Sequence, residues 1–135
     1  MGETVETSLA PLLNVRRGKD AVDFYKAAFG AEEIFLTESP DGEIVAQLRV
    51  GSSTFWLADE SPEHKNPSPE TLGGSTFRMV LVVADPDAVF VQALAAGAQT
   101  VWPVADQRYG WRVGRVVDPF GHHWEIGKPL TKADA

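Results

Sequence analysis

Cysteine is absent from the chain. That absence excludes disulfide scaffolds, thiolate nucleophiles and cysteine metal centres. It is compatible with the cytoplasm, the expected location. No apolar run approaches the roughly 20 residues that a membrane-spanning helix needs. The opening residues, Met1-Gly2-Glu3-Thr4-Val5-Glu6-Thr7, are polar and acidic. They lack the basic start and apolar stretch of a secretory signal. Basic residues are also scarce, with 12 Lys and Arg against 19 Asp and Glu, a net charge of −7. Neither a nucleic acid nor a membrane is an expected partner on that balance. Arg16, Arg17 and Lys19 do cluster, and read as a solvated segment ahead of a helix. The surplus of acid favours cationic ligands weakly, through the field of the whole molecule. Gly-x-Ser-x-Gly, Gly-x-Gly-x-x-Gly and P-loop patterns are missing. The serines near glycine, Ser52, Ser53 and Ser75, have no evident His base.

What the chain does contain is a repeat. Asp20-Ala21-Val22 returns as Asp87-Ala88-Val89, and Gly30-Ala31 as Gly97-Ala98, 67 residues later. At an offset of 68, Leu13 meets Leu81, Val15 meets Val83 and Trp56 meets Trp124. One supersecondary unit has been duplicated, and 135 residues suit two such units sharing a core. In the first unit, residues 8–15 read as a strand. Residues 20–29 read as a helix with an apolar stripe of Val22, Phe24, Tyr25, Ala28 and Phe29, stopped by Gly30. Strands follow at 33–36, 44–50 and 54–58, with Pro40-Asp41-Gly42-Glu43 as a hairpin turn. In the second unit a strand covers 77–83, and Asp85 caps a helix whose first residue is Pro86. That helix runs to Ala96. Strands are predicted at 100–104, 112–117 and 122–126. The expected organisation is a module over 8–59, a Pro/Gly linker over 60–74, a second module over 75–127 and a tail over 128–135. The linker either carries the chain across or also folds over a pocket.

The βαβββ order, the segment Ala21-Val22-Asp23-Phe24-Tyr25-Lys26-Ala27-Ala28-Phe29-Gly30, and above all Asp118-Pro119-Phe120-Gly121-His122-His123-Trp124-Glu125 resemble the vicinal oxygen chelate superfamily. That superfamily holds glyoxalase I, the extradiol dioxygenases and the bleomycin-resistance proteins. The stretch from Asp106 to His122 is most similar to its small glyoxalase/bleomycin-resistance branch. The resemblance covers residues 8–127. It implies an α+β fold of two tandem βαβββ modules forming a cupped mixed sheet, with helices on the convex side and a ligand cavity on the concave side. It also implies a homodimer. Metal-using members place ligands at four positions, which fall here on Ala10, Leu57, Arg78 and Glu125. Alanine and leucine offer no donor, and arginine stays protonated and repels a cation. The family's metal site is therefore read as lost, with no cofactor expected.

Side-chain direction alternates along a strand, so His123 accompanies Glu125 into the cavity. This pair is the remaining metal hypothesis, in which an atypical site including His123 and Glu125 serves a lyase, isomerase or dioxygenase. The alternative is a hydrogen-bonded pocket histidine. His122 is assigned to the turn or the surface, and Trp124 to packing beneath the helices, with Trp56 doing likewise by the repeat. Phe55, Leu57, Asn14 and Gln47 are then expected to face the cavity, with Arg115 as Gln47's counterpart. Arg78 and Glu125 are expected to pair across it. Trp102, Tyr109 and Trp111 supply flat apolar area. Trp111, beside Arg108 and Arg112, is the candidate to stack on a planar ligand, or else it packs in a core or dimer interface. The function read from all this is metal-free binding of a small aromatic or cationic molecule.

Overall fold

The computed structural model describes residues 4–131. The chain forms β1 (Leu12–Val15), α1 (Gly18–Phe29), β2 (Glu32–Glu38), β3 (Ile44–Val50) and β4 (Ser53–Asp59). A 3-10 turn at Pro62–His64 and a short helix α2 (Pro69–Leu72) follow. The order then repeats as β5 (Arg78–Val82), α3 (Pro86–Ala96), β6 (Gln99–Asp106), β7 (Trp111–Val117) and β8 (His123–Pro129). Each module is a four-stranded mixed sheet, ordered β1-β4-β3-β2 and β5-β8-β7-β6. Within each, the first and last strands run parallel and the other pairs antiparallel.

Local signals end the helices as the sequence requires. Gly30 adopts φ 68° and closes α1 with its N–H on the Lys26 carbonyl, a conformation that costs glycine little. Asp85 caps α3 by accepting a hydrogen bond from the Ala88 N–H at 3.1 Å, with Pro86 at the first helical position. The hairpin turn forms as expected, Ser39 and Glu43 closing around Gly42. One predicted module boundary moves. Lys128 and Pro129 belong to β8, so the second module extends past residue 127; residues 132–135 of the predicted tail lie outside the described residues. Residues 60–74 are not a structureless carrier. Glu60 accepts from the Ser68 N–H at 2.8 Å and from the Thr71 hydroxyl at 2.7 Å, and Arg16 approaches to 3.4 Å. The segment is latched to the start of α1.

Both helices pack against each other and against the backs of the sheets, α1 on β3 and β4, α3 on β6, β7 and β8. The result is one core running through both modules, from Leu13, Ala46, Leu48, Phe55 and Leu57 to Val116, Phe120, Trp124 and Ile126. Tyr25 and Phe29 of α1 reach across to Trp124 of β8, with centroids 5.4 and 4.6 Å away. Tyr25 donates from its hydroxyl to Asp118, which also accepts from the Trp124 indole N–H at 2.9 Å and from the backbone N–H groups of Phe120 and His122. Burial, then the Asp118 carboxylate, hold the Tyr25 hydroxyl well above its ordinary pKa. The open face of each sheet is directed away from this shared core.

Candidate functional site

The core decides which residues are left for the open faces, and it corrects three expectations. Phe55 and Leu57 are buried among the helices, Phe55 edge-on to Tyr25 at 5.4 Å. They lie on the core side of the sheet, not on its open face. Trp56 takes the open face instead and meets Phe35 at 6.0 Å. The reason is a length difference between the two turns. Val50 pairs with Ser53 across Gly51-Ser52, whereas Asp118 closes onto His122 across Pro119-Phe120-Gly121. One added residue moves the last strand by one place, and a shift of one exchanges the faces of every side chain. Register then pairs Gln47 with Trp56 in the first sheet and Arg115 with Glu125 in the second. Trp56, not Leu57, is the counterpart of Glu125, and Trp124 is the counterpart of Phe55.

A single transverse row crosses each open face. In the first sheet it runs Leu12, Trp56, Gln47, Phe35. In the second it runs Val80, Glu125, Arg115, Trp102. The first row is mostly apolar and the second centres on charge. Arg115 donates from Nη2 to Glu125 Oε1 at 3.1 Å, and Arg78 Nε lies 3.4 Å from the same oxygen. The expected Arg78–Glu125 pair is present, and Arg115 is the closer partner. The Arg115 Nε is buried without an acceptor among the described residues. His123 sits beside this cluster, its Nδ1 buried and without a partner among the described residues. Burial first, and the Arg115 charge second, lower its pKa below the ordinary histidine value.

These residues border a cavity of about 410 Å³, lined by Trp102, Pro103, Ala105, Gln107, Tyr109, Val113, Gly114, Arg115 and Glu125, within the size range of small-molecule sites. Irregular pairing on both sides of Trp102 turns β6 locally, and such bulges commonly re-aim side chains beside sites. Trp102 and Tyr109 supply the aromatic wall. Trp111 shares the strand face of Arg115 but does not line this cavity. Its neighbour Arg112 points the other way, bridging Asp87 at 2.9 and 2.8 Å and Asp106 at 3.0 Å. Asn14 and Gln47 belong to the other sheet, so one chain does not bring them to Glu125. The Asn14 carbonyl accepts from His122 Nε2 at 2.9 Å, and the His122 backbone N–H closes the Asp118 turn, as the turn assignment expects. The signal that separates Trp102 and Tyr109 from Trp111 is the bulge in β6, which residue identity does not reveal.

The profile of the glyoxalase/bleomycin resistance protein/dioxygenase superfamily matches residues 7–126. The chain belongs to that superfamily. An uncharacterized protein of Mycobacterium tuberculosis (strain H37Rv) is 41% identical over 138 residues, covering 99% of this chain and 81% of the other. Among solved structures, the Arabidopsis thaliana gene product At5g48480 superposes with a TM-score of 0.69 at 31% identity, covering 91% of this chain and 98% of that one. TioX from Micromonospora sp. ML1 gives 0.71 at 29% identity, covering 92% and 100%. The fold expected from the superfamily, tandem βαβββ modules in an α+β arrangement, is the fold observed.

The donor set of this member does not fit a divalent cation within one chain. Glu125 is engaged by two guanidiniums. The equivalent positions carry Ala10, Trp56 and Arg78, none of which is an anionic or imidazole donor. Among the described residues, no group of three or more His, Asp or Glu side chains converges as a metal site would need. No helix among them is long and apolar enough to cross a membrane.

Proposed function

We infer that this protein binds a small molecule without a metal, in the manner of the bleomycin-resistance branch of its superfamily. The ligand occupies the cavity on the open face of the second sheet. The observation that carries this reading is the state of Glu125. The one ligating side chain retained at the family positions is held by Arg115 and Arg78, so the carboxylate's charge is already answered by arginine. The cavity walls of Trp102 and Tyr109 suit a ligand with a flat ring.

A second copy completes the cup. The open faces of the two modules are not joined within a chain, and β1 and β5 end their sheets with one edge unpaired. Leu12, Val80 and Val82 on those strands are exposed, as unpaired apolar edges rarely are in a monomer. The homodimer proposed here puts the first module of one chain beside the second module of another. It sets the Trp56–Phe35 row opposite the Arg115–Glu125 row.

Metal analysis tests the central claim. Protein purified without chelator is expected to carry sub-stoichiometric zinc, nickel, manganese and iron, and added Mn²⁺, Ni²⁺ or Zn²⁺ is expected to leave Tm unchanged. One tightly bound ion per chain, lost on mutating Glu125 to Gln, would instead establish the enzymatic alternative built on His123 and Glu125.

A further inference from the structure

The cavity's charge identifies the chemistry of what enters it. Around Glu125 two guanidiniums face one carboxylate, with His123 on the same strand face and Tyr109 in the cavity wall. Both arginines approach the same oxygen, Oε1. A guanidinium carries five N–H donors; Arg115 spends one on Glu125, and Arg78 meets it as an ion pair at 3.4 Å. Arg78 keeps 52% of its side chain exposed. Arg115 borders the cavity, and its Nε has no acceptor among the described residues. Arg112, the other arginine of β7, is neutralised on the opposite face by Asp87 and Asp106. Among the described residues, no carboxylate other than Glu125 lines the cavity. The surplus is therefore one positive charge with unspent donors, beside an aromatic wall.

We propose that the ligand is an aromatic carboxylate, its ring against Trp102 and Tyr109 and its carboxylate accepting hydrogen bonds from Arg115 and Arg78. This rests on the binding reading above and reverses the preference for cations that the net charge of −7 suggests. Local charge prevails because exposed charges farther than a Debye length, about 8 Å at physiological salt, are largely screened. The planar fork of arginine matches the planar carboxylate in two parallel hydrogen bonds. Carboxylate binding leaves the Glu125 bridge in competition with the ligand for the same two cations. That competition makes an unusual demand on Glu125, because removing its charge should strengthen binding.

The test uses the full chain and three probes of one shape: 2-naphthoate, 2-naphthamide and 2-naphthylmethylammonium. Binding is followed by quenching of tryptophan fluorescence, with circular dichroism as the check on folding. Naphthoate is expected to bind about tenfold or more tighter than naphthamide, the worth of a charge-assisted hydrogen bond, with the ammonium weakest. Arg115→Gln is expected to reduce the preference for naphthoate over naphthamide about tenfold. Glu125→Gln is expected to raise naphthoate affinity several-fold, an effect that a merely structural role for Glu125 would not produce. Equal binding of naphthoate and naphthamide, tighter binding of the ammonium, or weaker naphthoate binding in a folded Glu125→Gln variant each overturn the carboxylate assignment while leaving the binding reading intact. Failure of all three probes to bind overturns both.

Discussion

Tyr25 belongs to the first module by sequence and to the second by contact. Its ring lies among Phe55, Phe120 and Trp124, and its hydroxyl donates to Asp118 in the turn before β8. Tyr25→Phe keeps the ring and removes one of four donors to a buried carboxylate. Hydrogen bonds to charged groups are worth about 1.5–3 kcal/mol, so a loss of that size is expected in urea unfolding, with the slope m unchanged. A loss below about 0.5 kcal/mol would show that the other donors satisfy Asp118 alone. The residue scale is also where alternation misleads. Trp56 and Trp124 are both tryptophans on last strands, 68 residues apart, yet one faces the open side and the other the core. Residue type carries no record of which turn is a residue longer. The pairing of Arg78 with Glu125 was legible because both follow from strand parity within one module. The closer role of Arg115 was not, because it depends on the cross-strand register of β7 with β8.

Among the elements, the segment between the modules carries the clearest consequence. Glu60 accepts from Ser68, Thr71 and, as an ion pair, Arg16, and these contacts hold its pKa below the ordinary carboxylate value, the Ser68 backbone N–H contributing most. A depressed folded pKa means that the unfolded chain binds more protons in the window between the two values. Stability is then fully present above the unfolded value of about 4.5 and is lost as pH falls toward the folded value. Glu60→Gln is expected to cost about 1–2 kcal/mol at pH 7 and progressively less below pH 4.5. Parallel Tm-against-pH curves for the two proteins would count against the latch. Proline and glycine in this stretch signalled a break in regular structure. They could not signal the latch, because its partners lie more than 40 residues away at Arg16. The helices were legible because their stops and caps are local, and the strands because apolar alternation is local. Several strand ends moved, by up to four residues, since pairing with a neighbour, not propensity, decides where a strand stops.

For the whole molecule, the two modules share a core through α1, α3 and the backs of both sheets, which leaves two open faces and two apolar edges outward. The dimer reading predicts a sedimentation mass of two chains at micromolar concentration. Val82 lies on the unpaired edge strand β5 and is 56% exposed. Val82→Lys therefore is expected to shift the equilibrium to monomer with circular dichroism unchanged, because a charge on an unpaired strand blocks pairing without touching the core. A wild-type monomer at high micromolar concentration would remove the composite cup.

By itself, the amino-acid sequence determined the duplication, the order of elements, and the glycine stop of α1 and the Asp85 cap of α3, since each is written in neighbouring residues or in residue chemistry. Tertiary structure alone decided which tryptophan joins the core, that Arg115 shares the carboxylate with Arg78, and that the two open faces point outward from a common interior. These outcomes hang on turn length and strand register, quantities that act between segments far apart along the chain, where a displacement of one residue reverses the face a side chain presents.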